Sequence, residues 1–405
     1  MSTDSKSQDR GRSAGTILRQ AWRRGRSLLP VEGYAFARPL VVLQSDDWGR
    51  VGVRDGEGWQ ELVEMGMSLG ERSYDFYSLE TAEDVAAVGA LLQSHHDSTG
   101  RSPCLEMNFV VANVDFARVK DGNFHQIHLR RLSDGLPDGW KRHGLFEAYR
   151  HGISGGLFSP ALHGTTHFCQ PAVARHLNGS GERGVLLRAL WKAGVPYIHW
   201  RMPWIGFEYW DPESPDEEDF LTGQAQQTLI DVAAESFAAM FGRAPRSACA
   251  PGYRANQSTL EAWAKRGVRV AQNGPGSALP PHFDHGILQL SRSVDFEPAT
   301  AQELSIDSCL RAAEECFARG LPAIISVHSI NFHSTIKDFR GPTLRLLDQF
   351  LSALEAKHPD LLYVNDEDLY DLVEKGLFQS TQSTVRVPVT KRMFSSGAVA
   401  AGWRA

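Results

Sequence analysis

Cysteine is scarce in this 405-residue chain, with five residues scattered along it. No two cysteines form a Cys-x-x-Cys pair and their number is odd, so the pattern indicates neither a disulfide framework nor a thiolate zinc site. Such a cysteine set suits a reducing compartment best, and we therefore expect a cytoplasmic protein. The cysteines are Cys104, Cys169, Cys249, Cys309 and Cys316.

Long hydrophobic runs and an excess of positive charge are also missing. No apolar run reaches the roughly 20 residues that a membrane-spanning helix needs, and the first 36 residues lack the apolar stretch of an ordinary secretory signal peptide. The net charge of −6 and the isoelectric point near 6.2 give no electrostatic reason to expect nucleic-acid binding. We therefore expect no transmembrane segment and no nucleic-acid partner.

The ends of the chain differ in composition from its middle. Residues 1–36 are polar and then rich in arginine, which predicts a basic flexible tail; a weak membrane-surface helix is the alternative. Residues 380–405 are predicted to form a second, loose tail. Between them, residues 37–379 alternate strand-like and helix-like segments, a pattern typical of a parallel α/β fold, and we expect one domain there.

Two histidines, His163 and His167, follow the apolar run 157–162. A short strand of this kind would deliver ligands at its carboxyl end, where α/β folds place their sites. Histidines four residues apart also share one face if their segment is helical, and neutral imidazole is a common zinc ligand. A chance pair among the chain's 15 histidines is the alternative interpretation.

Two adjacent carboxylates, Asp46 and Asp47, end the apolar run 40–43. Runs of this length are typical of buried strands. Because consecutive strand residues point to opposite faces, we expect the two carboxylates to have different tasks. Asp47 with His163 and His167 would form a three-ligand set that leaves room for water, as in catalytic zinc sites. A solvated Asp-Asp turn is the alternative.

The ordered set of motifs resembles the polysaccharide deacetylase superfamily, the family-four carbohydrate esterases and their relatives. The family's Thr-Phe-Asp-Asp-Gly strand end is matched by residues 44–49, and its His-Ser/Thr-x-x-His motif by residues 163–167. Its Arg-x-Pro-Tyr-type loop is matched by residues 248–254, and its strand ending in Leu-x-His by residues 324–328. The gaps between the first three motifs are longer than in compact members, so the chain resembles an elaborated member with long loop insertions.

The resemblance implies a deformed, incomplete (β/α) barrel and a metal-dependent amide hydrolase that deacetylates an N-acetylated sugar or polysaccharide. It implies a divalent metal, with zinc as the expected ion, held by Asp47, His163 and His167. Two alternatives stay open: hydrolysis of another C–N bond in a smaller molecule, and a non-catalytic carbohydrate-binding relative. The partner is therefore expected to be a carbohydrate or another small molecule.

The resemblance also assigns roles around the metal. Asp46 would be the general base and His328 the general acid, although a strand-end histidine can also be an ordinary hydrogen-bonded core residue, and His333 is a weaker rival. The residues expected to contact the substrate are Tyr253, Arg254 and Trp48. A second histidine cluster, His282 and His285 with Asp284, follows two prolines and is interpreted as an ordinary loop.

The chain departs from the family at the arginine that orients the general base. Cys249 occupies that position, so Arg246 or Arg254 would have to supply the charge from a shifted place. The family's second, arginine-tuning aspartate has no clear match, and Asp295 is the candidate. Without such a partner, Asp46 would lose the pKa that the partner sets.

An aromatic-rich insertion lies between the second and third motifs. Flat rings beside polar groups can stack on sugar faces, but aromatic side chains are also major core formers, so both interpretations stay open. The residues are Trp191, Tyr197, Trp200, Trp204, Phe207, Tyr209 and Trp210, with His199, Arg201 and Glu208 among them.

Overall fold

The computed structural model describes residues 30–214, 219–275, 279–301, 303–379 and 384–394. Within these ranges the chain is a mixed α/β fold built on one mostly parallel sheet of ten strands, which confirms the predicted parallel α/β class. None of the helices described in these ranges is long and apolar enough to cross a lipid bilayer.

The strands and helices are numbered along the chain. The strands are β1 (Val31–Phe36), β2 (Leu40–Trp48), β3 (Leu105–Phe109), β4 (Ala112–Val114), β5 (Leu129–Arg131), β6 (Phe158–Leu162), β7 (Ser247–Cys249), β8 (Val270–Asn273), β9 (His282–Asp284), β10 (Ile287–Ser291), β11 (Val294–Asp295), β12 (Ala323–His328), β13 (Leu362–Tyr363), β14 (Leu377–Gln379), β15 (Thr384–Arg386) and β16 (Val389–Phe394). The helices are α1 (Gly56–Glu64), α2 (Ala82–Ser94), α3 (Phe116–Asp121), α4 (Leu145–Ser154), α5 (Gln170–Leu177), α6 (Glu182–Lys192), α7 (Gly223–Phe241), α8 (Gln257–Lys265), α9 (Ile306–Ala318), α10 (Arg340–Lys357) and α11 (Asp366–Lys375).

The central sheet has the strand order β11-β12-β2-β3-β6-β7-β8-β10-β9, and β13 also pairs with β2. Neighbours in this order are parallel except β9, which runs antiparallel to β10. No pairing between described residues joins β11 to β9. A closed barrel is therefore not seen, and the incomplete barrel stays a prediction.

Strand β2 lies near the middle of the sheet because its sequence suits burial on both faces. Every one of its residues is buried, beginning with the apolar run 40–43, as expected for a central strand of a parallel sheet. It pairs in parallel with β12 and β3, and β3 pairs in parallel with β6. Since the carboxyl ends of parallel strands meet at one edge of the sheet, the motifs that end β2, β6 and β12 come together there.

The stretch 105–113 is divided between two strands, β3 and β4. The sheet strand β3 ends at Phe109, and β4 pairs antiparallel with β5 outside the central sheet. The chain leaves the sheet because the N–H groups of Val110 and Val111 donate to the carbonyls of Trp48 and Gly164, in the segments that end β2 and follow β6. This break ties β3 to both of the segments that carry the metal-ligand motifs.

The predicted terminal tails need correction where the structure describes them. Strands β15 and β16 lie within residues 380–405, and β16 pairs antiparallel with β1 from the predicted N-terminal tail. Val385, Val387 and Phe394 are buried. Their apolar side chains pack in the protein, so the described part of this segment is not a loose tail. Residues 1–29, 380–383 and 395–405 lie outside the described residues.

Side chains cap the starts of two helices. At the start of α2, Thr81 Oγ1 accepts from the Asp84 N–H at 3.1 Å, and Asp84 Oδ2 accepts from the Thr81 N–H at 2.9 Å. At the start of α8, Ser258 and Glu261 have the spacing of a capping box but do not form the cap. Helix α8 is capped by Asn256, whose side chain accepts from the Thr259 N–H at 3.2 Å, because asparagine caps as well as serine and lies two positions earlier.

Candidate functional site

The adjacent carboxylates Asp46 and Asp47 face the same cavity rather than opposite faces of the sheet. The β2–β3 pairing shifts register between Ser45 and Trp48, and Asp47 has a φ of 76°. A bulge re-aims a side chain, and a left-handed residue that is not glycine is a strained conformation typical of functional sites. The expectation of opposite faces was therefore wrong, because the strand loses its regular alternation at this point.

Asp47, His163 and His167 converge on one point. Asp47 Oδ1 lies 3.2 Å from His167 Nε2 and 3.6 Å from His163 Nε2, and all three residues are buried. Their candidate ligand atoms lie within 4.8 Å of one another. The histidines reach this point from the loop after β6 and not from a helix. The prediction that a strand end delivers them is therefore confirmed.

This cluster suits a divalent cation. Asp47 Oδ1 and His163 Nε2 are buried and have no hydrogen-bond partner among the described residues. His163 Nδ1 lies 2.9 Å from the carbonyl oxygen of Cys249, which accepts the Nδ1 proton and leaves the Nε2 lone pair facing the cluster. One carboxylate and two imidazoles form a donor set that zinc accepts. A second possible group, Asp46 with His163 and Cys249, suits a cation less well, because Asp46 is held by an arginine and burial raises the pKa of the Cys249 thiol.

The loop of the two histidines is supported by Glu208. Glu208 Oε1 accepts from the Thr165 N–H at 2.7 Å and from the Thr166 N–H at 3.3 Å. Burial raises the pKa of Glu208 to about 7, although these bonds oppose the shift. Gly164 has a φ of 80°, and a Cβ there would lie 1.9 Å from Glu208 Oε2, so only glycine permits this contact. Sequence reasoning gave Glu208 no such role, since nothing local links the insertion to the histidine loop.

Arg50 pairs with the predicted metal ligand Asp47. Its Nη2 lies 3.1 Å from Asp47 Oδ2, its Nη1 donates to the Tyr197 hydroxyl at 2.7 Å, and its guanidinium lies 3.9 Å from the centre of the Tyr77 ring. Burial alone would raise the pKa of Asp47, but Arg50 and the neighbouring histidines hold it well below its usual range. Arg50 thus fixes one carboxylate oxygen and leaves Oδ1 to the cluster.

The arginine that orients Asp46 is Arg292, which directly follows β10. Its Nη2 and Nη1 donate to the two oxygens of Asp46 at 2.6 and 2.7 Å, forming a buried bidentate pair. The predictions of Arg246 and Arg254 were wrong: Arg246 precedes β7, and Arg254 lies over the Trp210 ring at 4.9 Å. The sequence could not identify Arg292 because it comes from a different strand than the family's motif arginine.

The Asp46 carboxylate has two further donors. The Asn108 amide donates to Oδ1 at 2.6 Å and the Tyr253 hydroxyl donates to Oδ2 at 2.9 Å. Burial by itself would raise the pKa of Asp46, but the Arg292 guanidinium together with His163 and His328 outweighs burial and keeps the pKa well below its usual range. Asp46 is therefore ionised at neutral pH.

His328, at the end of β12, is paired with Glu297. Its Nδ1 lies 2.6 Å from Glu297 Oε1, and its Nε2 lies 3.7 Å from Asp46 Oδ2. Burial alone would lower the pKa of His328, but Glu297 and then Asp46 raise it to about 9. Glu297 is thus the partner of the histidine and not an arginine-tuning carboxylate. Asp295, the candidate for that second role, does not fill it: no hydrogen bond joins its side chain to Arg292, and burial raises its pKa to about 7.

These groups line a cavity of about 170 Å³. Trp48 does not line it; the side chain is fully buried, donates to Ser45 Oγ at 2.8 Å and stacks on Phe332. Arg254 does not line it either, whereas the predicted substrate contact Tyr253 does. The lining residues are Asp46, Asp47, Tyr74, His163, His167, Phe207, Gly252, Tyr253 and His328.

The aromatic insertion divides between the two interpretations that the sequence left open. Most of its rings, including Trp191, Tyr197 and Tyr209, are buried in the main core. Phe207 instead lines the cavity, with its ring centre 5.5 Å from that of His167. Most of the insertion's rings therefore belong to the hydrophobic core, and Phe207 contributes one aromatic face to the site.

The remaining histidines lie elsewhere. His282 Nδ1 contacts the Pro280 carbonyl at 2.9 Å, and His285 Nδ1 contacts Asp284 at 2.8 Å. They do not form a metal-like group with Asp284 among the described residues. The interpretation as an ordinary loop was wrong, because His282–Asp284 is strand β9 and pairs with β10. His333, the weaker rival of His328, is buried beside Glu80 and Tyr77 and does not line the cavity.

No protein-family model and no curated protein matches the chain. Among solved structures, it is similar to a candidate polysaccharide deacetylase from Mycobacterium smegmatis (12% identity, 86% of this chain and 95% of that chain, TM-score 0.45). It is also similar to a candidate glycoside hydrolase/deacetylase from Parabacteroides distasonis (12%, 87% and 74%, 0.46). A third is a family 4 carbohydrate esterase from Streptomyces lividans in complex with acetate (11%, 81% and 92%, 0.33).

Proposed function

We propose that this chain is a metal-dependent hydrolase that removes the acetyl group from an N-acetylated sugar or polysaccharide. The observation that carries the proposal is the convergence of a buried Asp-His-His cluster, a paired carboxylate and a protonated histidine on one cavity. An incomplete barrel fold, a cytoplasmic location and zinc as the ion are parts of the same proposal.

The cation would be held by Asp47 Oδ1, His163 and His167. When bound, a divalent ion supplies Lewis acidity to an amide carbonyl and to a water. His163 is held in the required tautomer by the Cys249 carbonyl, and Asp47 is oriented by Arg50. These fixed second contacts keep the ligand atoms in place before any ion arrives.

Asp46 and His328 would divide the proton transfers. Asp46 is ionised and would accept a proton from the attacking water, although its lowered pKa makes it a weak base that needs an acidified water. His328 carries a proton at neutral pH and would donate it from Nε2 to the amine nitrogen as the C–N bond breaks. The 3.7 Å between His328 Nε2 and Asp46 Oδ2 supports this division, because donor and acceptor would both reach one reacting centre.

Hydrolysis of a C–N bond in a smaller molecule is the second candidate, and the cavity volume favours it. About 170 Å³ is close to the roughly 150 Å³ that encloses one benzene molecule. Tyr74, Phe207 and Tyr253 wall the cavity, so an acetamide group fits inside while a sugar ring would have to remain at the mouth. Comparing an acetylated monosaccharide, an acetylated oligosaccharide and a small N-acyl amine as substrates separates the two candidates.

The decisive experiment measures metal content and acetate release together. We expect about one zinc per chain, lost in His163→Ala, and acetate release from an acetylated sugar. Asp46→Asn should keep the metal but lose about 10²–10⁴-fold in rate. Loss of metal in Asp46→Asn would mean that Asp46 and Asp47 have exchanged roles. Zinc without acetate release from any acetylated sugar would favour the second candidate, and a wild-type protein without bound metal would refute the proposal.

A further inference from the structure

The interior of the sheet behind Asp46 is filled by polar side chains. They come from several strands and from the first residue of α11, and all of them are buried. Burying so many polar groups is costly unless every one finds a partner. Here they form one connected set of hydrogen bonds that begins at Asp366 and ends at Asp46. The members between these two are Gln44, Asn108, Ser247, Gln272 and Arg292, and Asn108 forms a second bridge by donating to Gln272 Oε1 at 2.7 Å and to Asp46 Oδ1 at 2.6 Å.

Asp366 is the accepting end of this set. Its Oδ1 accepts from Gln44 Nε2 at 2.8 Å, and its Oδ2 accepts from Gln272 Nε2 at 2.8 Å and from the Ser247 hydroxyl. It lies in the first turn of α11, where the helix dipole favours a negative charge. No motif of the sequence pointed to this residue.

Asp366 shares its burial with a second carboxyl, Glu106. Glu106 Oε1 accepts from the backbone N–H of Asp366 at 2.9 Å. Burial raises the pKa of both groups. Asp366 accepts from three side-chain donors, whereas Glu106 accepts from the Asp366 backbone N–H, so the hydrogen bonds favour the negative charge on Asp366.

The two glutamines link Asp366 to Arg292, and Asp366 fixes the orientation of their carboxamide groups. A carboxamide has a donor end and an acceptor end. Because the NH₂ groups of Gln44 and Gln272 point to Asp366, their oxygens point to Arg292. Gln44 Oε1 accepts from Arg292 Nε at 3.2 Å, and Gln272 Oε1 accepts from Arg292 Nη2 at 3.1 Å. The guanidinium is thus held along one edge by the glutamines, while its fork holds both oxygens of Asp46.

We infer that Asp366 is a positioning residue for the reaction, acting through Gln44, Gln272 and Arg292 to fix the plane of the Asp46 carboxylate. The inference rests on the proposed role of Asp46. Asp366 touches neither the cavity nor the predicted metal ligands, so its action on catalysis passes through this hydrogen-bond path.

The substitution Asp366→Asn tests the direction of the path. The new NH₂ group would face the NH₂ group of one glutamine, that glutamine would have to turn, and its oxygen would be lost from Arg292. We expect kcat to fall roughly 10- to 100-fold, the cost of misplacing a catalytic group by about 1 Å. KM and the zinc content per chain should stay unchanged. Gln272→Met removes the same link from the other side and should show the same loss if Asp366→Asn does not fold.

A matched control lies two positions along the same helix. Asp368 caps α11 through the Asn365 N–H and pairs with Arg101, outside the path to Asp46. Asp368→Asn should therefore keep the wild-type kcat. In an Arg292→Lys background the guanidinium link is broken and only the Asn108 bridge from Gln272 to Asp46 is left. Adding Asp366→Asn should therefore cause less than the additive loss, whereas a role in general folding would make the two losses add.

Wild-type kcat in both Asp366→Asn and Gln272→Met would overturn the inference, and so would additive losses in the Arg292→Lys background. Failure of the proposed function is recognised separately, because the wild-type protein would then release no acetate. In that case a crystal structure of Asp366→Asn still decides: a broken Asp46–Arg292 fork supports the inference, and an unchanged fork with both contacts refutes it.

Discussion

The pairing of His328 with Glu297 yields the most quantitative prediction from this structure. Glu297→Gln keeps the shape of the side chain and removes its charge. The pKa of His328 is raised from 6.5 to about 9, a difference worth about 3 kcal/mol at 1.36 kcal/mol per unit. The His328 side chain is 24% exposed, so solvent screens part of this. Because one adjacent opposite charge shifts a pKa by 1–3 units, we expect the variant's pKa to fall by roughly one to two units.

The sign of the effect follows from which form is stabilised. A histidine whose folded pKa is raised stabilises the folded protein fully below its unfolded pKa, near 6.5, and loses that contribution as the pH rises through about 9. Glu297→Gln should therefore reduce the loss of stability between pH 6.5 and 9. The activity of the variant, which needs protonated His328, should decline at a lower pH than that of the wild type.

The direct assay is an NMR titration of the imidazole resonances in metal-free protein, with His328→Gln identifying the resonance. Asp295→Asn is the matched control, since Asp295 lies near His328 but makes no hydrogen bond to it in the described structure. It should move the midpoint less than Glu297→Gln does. An unchanged midpoint in Glu297→Gln, or an equal shift in the control, would refute the assignment of Glu297 as the partner of His328.

Two further variants test other parts of the site. Arg292→Gln leaves the buried Asp46 carboxylate without its cation and should lower the free energy of unfolding by about 3–5 kcal/mol in a denaturant titration. A loss below about 1 kcal/mol, which is typical of an exposed ion pair, would contradict this expectation. Gly164→Ala places a Cβ against Glu208. It should lower the free energy of unfolding by about 1–3 kcal/mol more than Gly156→Ala does, because the new Cβ of Gly156→Ala has the same left-handed backbone but no atom near it. It should also lower zinc content, whereas equal losses in the two variants would show that Glu208 does not restrain the loop.

The sequence predicted those parts of the site that depend on local pattern. The apolar runs before Asp46 and His163 mark buried strands, and the ends of parallel strands must meet at one edge of the sheet. His328 follows from the same rule, since β12 pairs with β2. An ordered set of short motifs therefore brought the predicted ligands and both proton-transfer groups to one cavity.

The remaining contacts could not be predicted because each joins segments far apart in the chain. Arg292 contacts Asp46 although it lies 246 positions later in the sequence, and Glu208 contacts Thr165 although it lies 43 positions later. A guanidinium can reach the same carboxylate from several strands, so the absence of an arginine from one motif does not indicate which strand replaces it. The bulge at Asp47 is likewise a property of the β2–β3 pairing, and no residue of β2 alone signals it.

The arrangement of charges explains how three carboxylates can be buried around one cavity. Each is matched by one cation: Asp46 by Arg292, Asp47 by Arg50 and Glu297 by His328. The protein charges around the cavity thus balance before any metal is bound. A divalent ion at the free Asp47 oxygen would then add positive charge that no other group in the described cavity wall neutralises. Such an excess would favour negative charge developing on the carbonyl oxygen of the proposed substrate, so the pairing that allows burial would also prepare the site for an oxyanion.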